Sequence, residues 1–118
     1  MQTIYIAGSF NAASRIRVES HRLKELGYTV LSRWFNPNDF IEKAWDKDYA
    51  GQVAESMATG DLYSILEADV FIIDTINKSS TGGSETELGV ALARKLDGYN
   101  LRIIRIGPST NVFHTLVR

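Results

Sequence analysis

The stretch Thr81-Gly82-Gly83-Ser84-Glu85-Thr86-Glu87-Leu88-Gly89 holds the densest chemistry in the chain. Paired glycines let a ligand approach the backbone, and a helix start then presents two carboxylates. A carboxylate in a helix's first turn commonly does no more than complement the dipole, which accounts for Glu85. Glu87 differs. It runs into Leu88, Gly89, Val90, Ala91, Leu92 and Ala93, a segment apolar enough to pack against a sheet. A carboxylate entering buried surface is costly unless it is paired or used. Glu85 and Glu87 also point about 200° apart on a helix, so they cannot serve one site together. Asp61 and Asp69 flank Leu62 to Ala68 and supply further acids. Asp69 reads as the residue that starts a strand, and Asp61 as either a site acid or a helix-surface residue.

A second candidate group opens the chain. Gly8-Ser9-Phe10-Asn11 follows a strand, and Arg15 and Arg17 sit in the first turns of the next helix. A tight turn, free helix N–H groups and two guanidiniums can hold a phosphate. The same residues also suit an ordinary strand-to-helix turn with solvated arginines. GxGxxG and GxxxxGK[ST] are both absent, which disfavours a dinucleotide or triphosphate site. There is no Cys, and His21 and His114 lie too far apart for a local metal motif. No metal or cofactor is expected.

The elements that must position these residues alternate between strand and helix. Thr3 to Ala7 reads as a buried strand, Ala13 to Leu26 as a helix stopped by Gly27, and Tyr28 to Trp34 as a second strand. Phe35 to Asp48, with Asn-Pro-Asn-Asp, reads as a loop or lid with at most one helical turn. Gln52 to Glu67 has helical spacing, weakened locally by Gly60. Val70 to Asp74 is a continuous apolar run of the kind found in a central parallel strand. A polar loop from Asn77 to Gly83 leads into a helix over Glu85 to Leu96, with Ser84 placed to cap it. Leu101 to Ile106 is a fourth strand, and Val112 to Val117 a short final element. This order predicts a single α/β domain over 1–118, a three-layer flavodoxin-like or Rossmann-like parallel sheet with helices on both faces. Ligands in such sheets bind at the carboxyl ends of the strands, here Gly8 to Asn11, Asp74 to Ser84 and Gly107 to Asn111.

Composition narrows the partners. A net charge of −1 gives no global field to draw the chain to nucleic acid or an anionic membrane. No apolar stretch approaches the ~20 residues that span a bilayer. The opening strand lacks a basic n-region, so no signal peptide is expected and the cytoplasm is the default location.

The same blocks resemble the nucleoside 2-deoxyribosyltransferase superfamily, which includes the 2′-deoxynucleoside 5′-phosphate N-hydrolases. Ile4-Tyr5-Ile6-Ala7-Gly8-Ser9 is similar to its first strand and Gly-Ser turn. Asp61 to Val70 is similar to its D-L-x-x-I-x-x-A-D block, and Gly83 to Ala93 to its E-L-G-x-A-x-A block. Val112 to Arg118 is similar to a terminal segment that reaches into a neighbouring subunit's site. Ser32-Arg33-Trp34, Thr81 to Gly89 and Asn111 to His114 are closest to small bacterial and phage members. The resemblance implies that Glu87 is a nucleophile toward C1′ of a deoxyribose and that Asp61 is the acid at the departing base. It implies that Tyr5 and Ser9 line the sugar side, within a substrate site that also takes in Gly8, Phe10, Arg15, Asp74, Thr81, Gly83, Asn111 and His114. The N-hydrolases carry serine where His114 stands, a departure at the place where the neighbouring subunit would meet a phosphate. Small residues at Gly82 and Gly83, near Glu87, suit a pocket closed around C2′ and hence a 2′-deoxy sugar.

Two rival readings remain. A nucleoside-monophosphate phosphoribohydrolase motif, P-G-G-x-G-T-x-x-E, needs glycine at 85 and glutamate at 89, where this chain has Glu85 and Gly89. A binding module that keeps the fold without catalysis is the other, since fold does not dictate function. The resemblance further implies a homodimer or dimer of dimers, and a small domain gains core by association. Sedimentation at micromolar concentration is expected to show a dimer or tetramer; a fully active monomer would contradict that expectation.

Overall fold

A computed structural model of the chain describes residues 2–36, 52–77 and 82–117. Most of the expected lid segment, and Thr81, lie outside them. Four strands, β1 (Thr3–Ala7), β2 (Thr29–Val30), β3 (Val70–Asp74) and β4 (Arg102–Ile106), alternate with three helices. The helices are α1 (Ala13–Glu25), α2 (Gln52–Glu67) and α3 (Gly83–Leu96). Short 3-10 turns cover Phe10–Ala12 and Val112–Leu116. The sheet is wholly parallel in the order β2-β1-β3-β4, the α/β arrangement expected of a flavodoxin-like three-layer fold. No helix among the described residues is long and apolar enough to cross a membrane.

Topology fixes the layers. The chain steps one way from β1 to β2, then the other way from β2 to β3 and β4. Right-handed crossovers therefore place α1 on one face, with α2 and α3 together on the opposite face. The packing of α2 against α3 agrees. The step direction reverses between β1 and β3, so the crevice for ligands opens at their carboxyl ends.

Strand alternation sorts the core. Tyr5 pairs in register with Phe71, and Phe71 with Ile103, on the face that α3 covers. The Tyr5 and Phe71 rings lie parallel, with centroids 5.8 Å apart. Ile65 of α2 and Leu88 and Ala91 of α3 seal that layer. Ile4 and Ile6 face the other way, toward Ile16 of α1. Gly8 follows from that packing: a Cβ there would lie 2.7 Å from Ile16 Cδ1. Arg94 of α3 donates to the carbonyls of Ile65 and Ala68 at the end of α2, locking the two helices in relation to each other.

The structure shortens the second strand. The pattern predicts Tyr28 to Trp34, but only Thr29–Val30 pairs regularly with β1. Beyond Leu31, whose N–H still reaches the Ile4 carbonyl at 2.8 Å, side chains replace the backbone ladder. Ser32 Oγ accepts the Ile6 N–H at 2.9 Å, and the Trp34 indole N–H donates to the Ile6 carbonyl at 2.7 Å. Alternating polar and aromatic residues look like a strand, because they satisfy the neighbouring strand in a strand's place.

A second correction concerns α3. Its first residue is Gly83, and Gly82 (φ +77°), a conformation that favours glycine, occupies the cap. Ser84 therefore lies inside the first turn rather than at the cap. α2 runs unbroken through Gly60, with the bounds the sequence predicts.

Ser32→Ala would leave the Ile6 N–H buried without its partner. We expect a loss of about 1–3 kcal/mol in denaturant unfolding; an unchanged midpoint would contradict the ladder role of Ser32.

Candidate active site

Three residues from three elements meet on the face of the sheet covered by α2 and α3. Tyr5 projects from the middle of β1, where neighbouring strands bury its ring. Its hydroxyl donates to Glu87 Oε2. Glu87 lies in the second turn of α3, on the side that Ser84, Leu88 and Ala91 bury, because positions three and four apart share a helix face. Asp61, in α2, is the third, and its charge acts on both Tyr5 and Glu87.

Among the described residues, the electrostatics follow from burial without a compensating cation. Loss of solvent pushes the Glu87 carboxyl up to about 8; the Tyr5 hydrogen bond lowers it, and the Asp61 charge raises it further. Burial likewise pushes Asp61 up to about 6. The Tyr5 phenol is held far above its usual range, first by burial and then by the charges of Glu87 and Asp61. Near neutral pH the carboxyl pair therefore shares about one proton, with Tyr5 a permanent donor. Such a pair can attack an electrophile through one member and move a proton through the other.

The other residues singled out in the sequence fall into separate groups. Asp74, at the end of β3 on the α1 face, has a fully buried side chain. Arg15 engages both its oxygens and also donates to Asn77 at 2.9 Å. The Ile76 N–H completes the Asp74 shell at 3.1 Å. Hydrogen bonding to Asp74 is the main cause that raises the Arg15 pKa. Arg17 donates to the Phe35 carbonyl. Of the two arginines considered for a phosphate, Arg15 is thus engaged by a carboxylate and Arg17 by the backbone.

Ser9 caps the 3-10 turn after β1, its oxygen accepting the Asn11 N–H at 3.2 Å. Phe10 is exposed and packs edge-on against Trp34, with ring centroids 5.7 Å apart. Asp69 accepts from the Thr3 N–H and hydroxyl, each at 3.1 Å, as a residue that starts a strand. Gly83 is exposed at the start of α3.

Asn111 and His114 gather around Glu85 instead of Glu87. His114 is fully buried, and its Nδ1 accepts the Thr110 N–H at 3.0 Å. That bond fixes the proton of the neutral ring on Nε2, which donates to the Glu85 carboxylate at 3.0 Å. Asn111 Nδ2 donates to the same carboxylate at 2.9 Å, while its Oδ1 caps the final 3-10 turn. Within one chain the terminal segment is thereby fastened to the start of α3. Glu85 is the residue whose role sequence reasoning missed: it is a polar anchor, and its His partner is 29 positions away. Among the described residues, no three His, Cys, Asp or Glu side chains converge as a metal-binding set.

No family model and no curated protein matches the chain.

A buried carboxyl with a raised pKa weakens the fold as pH rises. Glu87 binds its proton more tightly folded than unfolded, so its contribution is fully present below about 4.5 and is lost as pH climbs through about 8. Glu87→Gln keeps a carbonyl for Tyr5 and removes the ionisation. The variant is expected to match the parent in Tm near pH 4.5 and to exceed it by several degrees at pH 8 and above. A Tm advantage that shrinks as pH rises would contradict this placement of Glu87.

Proposed function

We propose that the chain cleaves the N-glycosidic bond of 2′-deoxynucleosides or their 5′-monophosphates, with Glu87 as nucleophile. The observation that carries this reading is the part-buried Tyr5–Glu87 hydrogen bond, within reach of the Asp61 charge, where β1 and α3 meet. A Glu87 oxygen forms a bond to C1′ as the C1′–N bond breaks, and the bonding pair leaves with the base. Asp61 delivers a proton to that nitrogen. The result is a deoxyribosyl ester of Glu87, reached through an oxocarbenium-like transition state. Water then attacks C1′ and restores the Glu87 carboxylate, its proton passing to Asp61; a second base attacking in place of water makes the reaction a transfer.

The local chemistry supports each role. Few water molecules hydrate a buried carboxylate, which favours its attack on a carbon gaining positive charge. Tyr5 restrains the rotamer of Glu87 and, being a donor at all relevant pH, cannot compete as the base. At neutral pH the shared proton resides mostly on Glu87, pushed up to about 8, and the reactive form is the minority in which Asp61, pushed up to about 6, carries it. The absence of a 2′-hydroxyl favours the reaction, because that group withdraws electrons from the forming oxocarbenium ion.

Glu85 stands apart as a test of register. Its carboxylate is occupied by His114 and Asn111. Glu87→Ala and Glu85→Ala are to be compared for base release from deoxynucleosides and their monophosphates, and for a sugar adduct by intact-protein mass. Glu87→Ala is expected to lose several orders of magnitude in turnover and the adduct, whereas Glu85→Ala stays active. In the parent, kcat/KM should follow the singly protonated pair, rising through about 6 and falling above about 8. An inactive Glu85→Ala beside an active Glu87→Ala would refute the assignment, and no base release from any substrate would refute the reaction.

A further inference from the structure

Ser84 is only 5% exposed, yet among the described residues its hydroxyl has no hydrogen-bond partner. Two other buried serines near the strand ends are occupied: Ser9 Oγ accepts the Asn11 N–H and Ser32 Oγ the Ile6 N–H. Sealing a hydroxyl from water without a partner would cost about 1–3 kcal/mol. Among the described residues, no side-chain oxygen or nitrogen sealed from solvent lacks a partner. The Ser84 hydroxyl is therefore not sealed, and it keeps an opening while the rest of the residue is enclosed.

Its place on α3 says what the opening adjoins. Ser84 precedes Glu87 by three residues and Leu88 by four, so all three share one side of the helix. Leu88 is buried and Glu87 meets Tyr5, which puts Ser84 one helical turn (about 5.4 Å) from the nucleophile, on the same side. The first intrahelical bond of α3 runs from the Thr86 N–H to the Gly82 carbonyl at 3.0 Å, so Ser84 sits ahead of the ladder, where the helix end is open to ligands.

We propose that Ser84 binds the 3′-hydroxyl of the sugar whose C1′ Glu87 attacks, an inference that rests on the reaction proposed above. A serine hydroxyl both donates and accepts, and so does its partner. A 2′-deoxynucleoside carries two sugar hydroxyls. The 5′-hydroxyl is on a rotating arm and is lost in a 5′-phosphate, whereas the 3′-hydroxyl is fixed to the ring. A group held one turn from the nucleophile matches a hydroxyl held at a set distance from C1′. Ser84 thereby sets the sugar's orientation in addition to its affinity.

The test pairs Ser84→Ala with the four 2′-deoxynucleosides, their 5′-monophosphates and the matching 2′,3′-dideoxy compounds. The parent should use the dideoxy substrates about tenfold less efficiently in kcat/KM, as expected for one lost hydrogen bond. Ser84→Ala should act on the deoxy substrates about tenfold less well than the parent and treat both sugars alike. Its Tm should be unchanged or higher, since alanine favours the helix. A loss equal for both sugars, or no loss, overturns the assignment. If the parent releases no base from any nucleoside or 5′-monophosphate, the proposed reaction fails, and calorimetric titration with the same substrate pairs decides Ser84 by itself. Tighter binding of the deoxy member that vanishes in Ser84→Ala then supports the contact; equal affinities, or no binding, overturn it.

Discussion

A carboxylate lodged between a sheet and the helix that covers it is the constraint on which the rest of the site depends. Glu87 lies half-buried on the side of α3 that Leu88 and Ala91 use for packing. Tyr5 meets it there with a hydroxyl, and the ring of Tyr5 is itself held flat against Phe71. Neither partner supplies a positive charge. The carboxyl therefore keeps its proton well into the neutral range, and Asp61, half-buried in α2, shares the same pressure.

Fixing that carboxylate requires the ends of α3 to be held, and two polar groups do so from opposite directions. At the start, Glu85 receives His114 and Asn111, so the final 3-10 turn is tied to the first turn of the helix. Near the far end, Arg94 binds carbonyls that close α2, which carries Asp61. Glu87 and Asp61 thus inherit a set separation from contacts that lie outside the site. Across the sheet, Arg15, Asp74 and Asn77 fasten α1 to the chain leaving β3. The α1 face is structural in this respect, and the face under α2 and α3 is where the unbalanced charge collects.

The edge of the sheet is managed with side chains. β2 pairs for two residues, and then Ser32 and Trp34 take over the hydrogen bonds of Ile6. The chain can leave the sheet early without orphaning a backbone group of β1. Trp34 then turns its ring toward Phe10 and Phe35, so one residue serves both the ladder and an aromatic cluster beside the strand ends.

Much of this was legible in the residues. Continuous apolar runs at Thr3 to Ala7 and Val70 to Asp74, alternating with amphipathic stretches, determined a parallel α/β sheet, because such periods bury surface in only one way. The apolar run after Glu87 marked it as a carboxylate with unusual surroundings, and Asp69 as the start of a strand. Three matters belonged to tertiary structure. Ser32 and Trp34 resemble strand residues locally, and only the position of Ile6 across the sheet shows that they replace the strand. Arg15 and Asp74 each looked free to meet a ligand, but they are 59 residues apart and neutralise each other once β3 lies beside α1. Glu85 looked like a residue that complements a helix dipole, and its partner His114 arrives only after β4 has crossed. Local sequence records period, capping and burial, which short-range sterics and solvent decide. Which charge meets which depends on contacts between distant segments, and those exist only when the sheet has assembled.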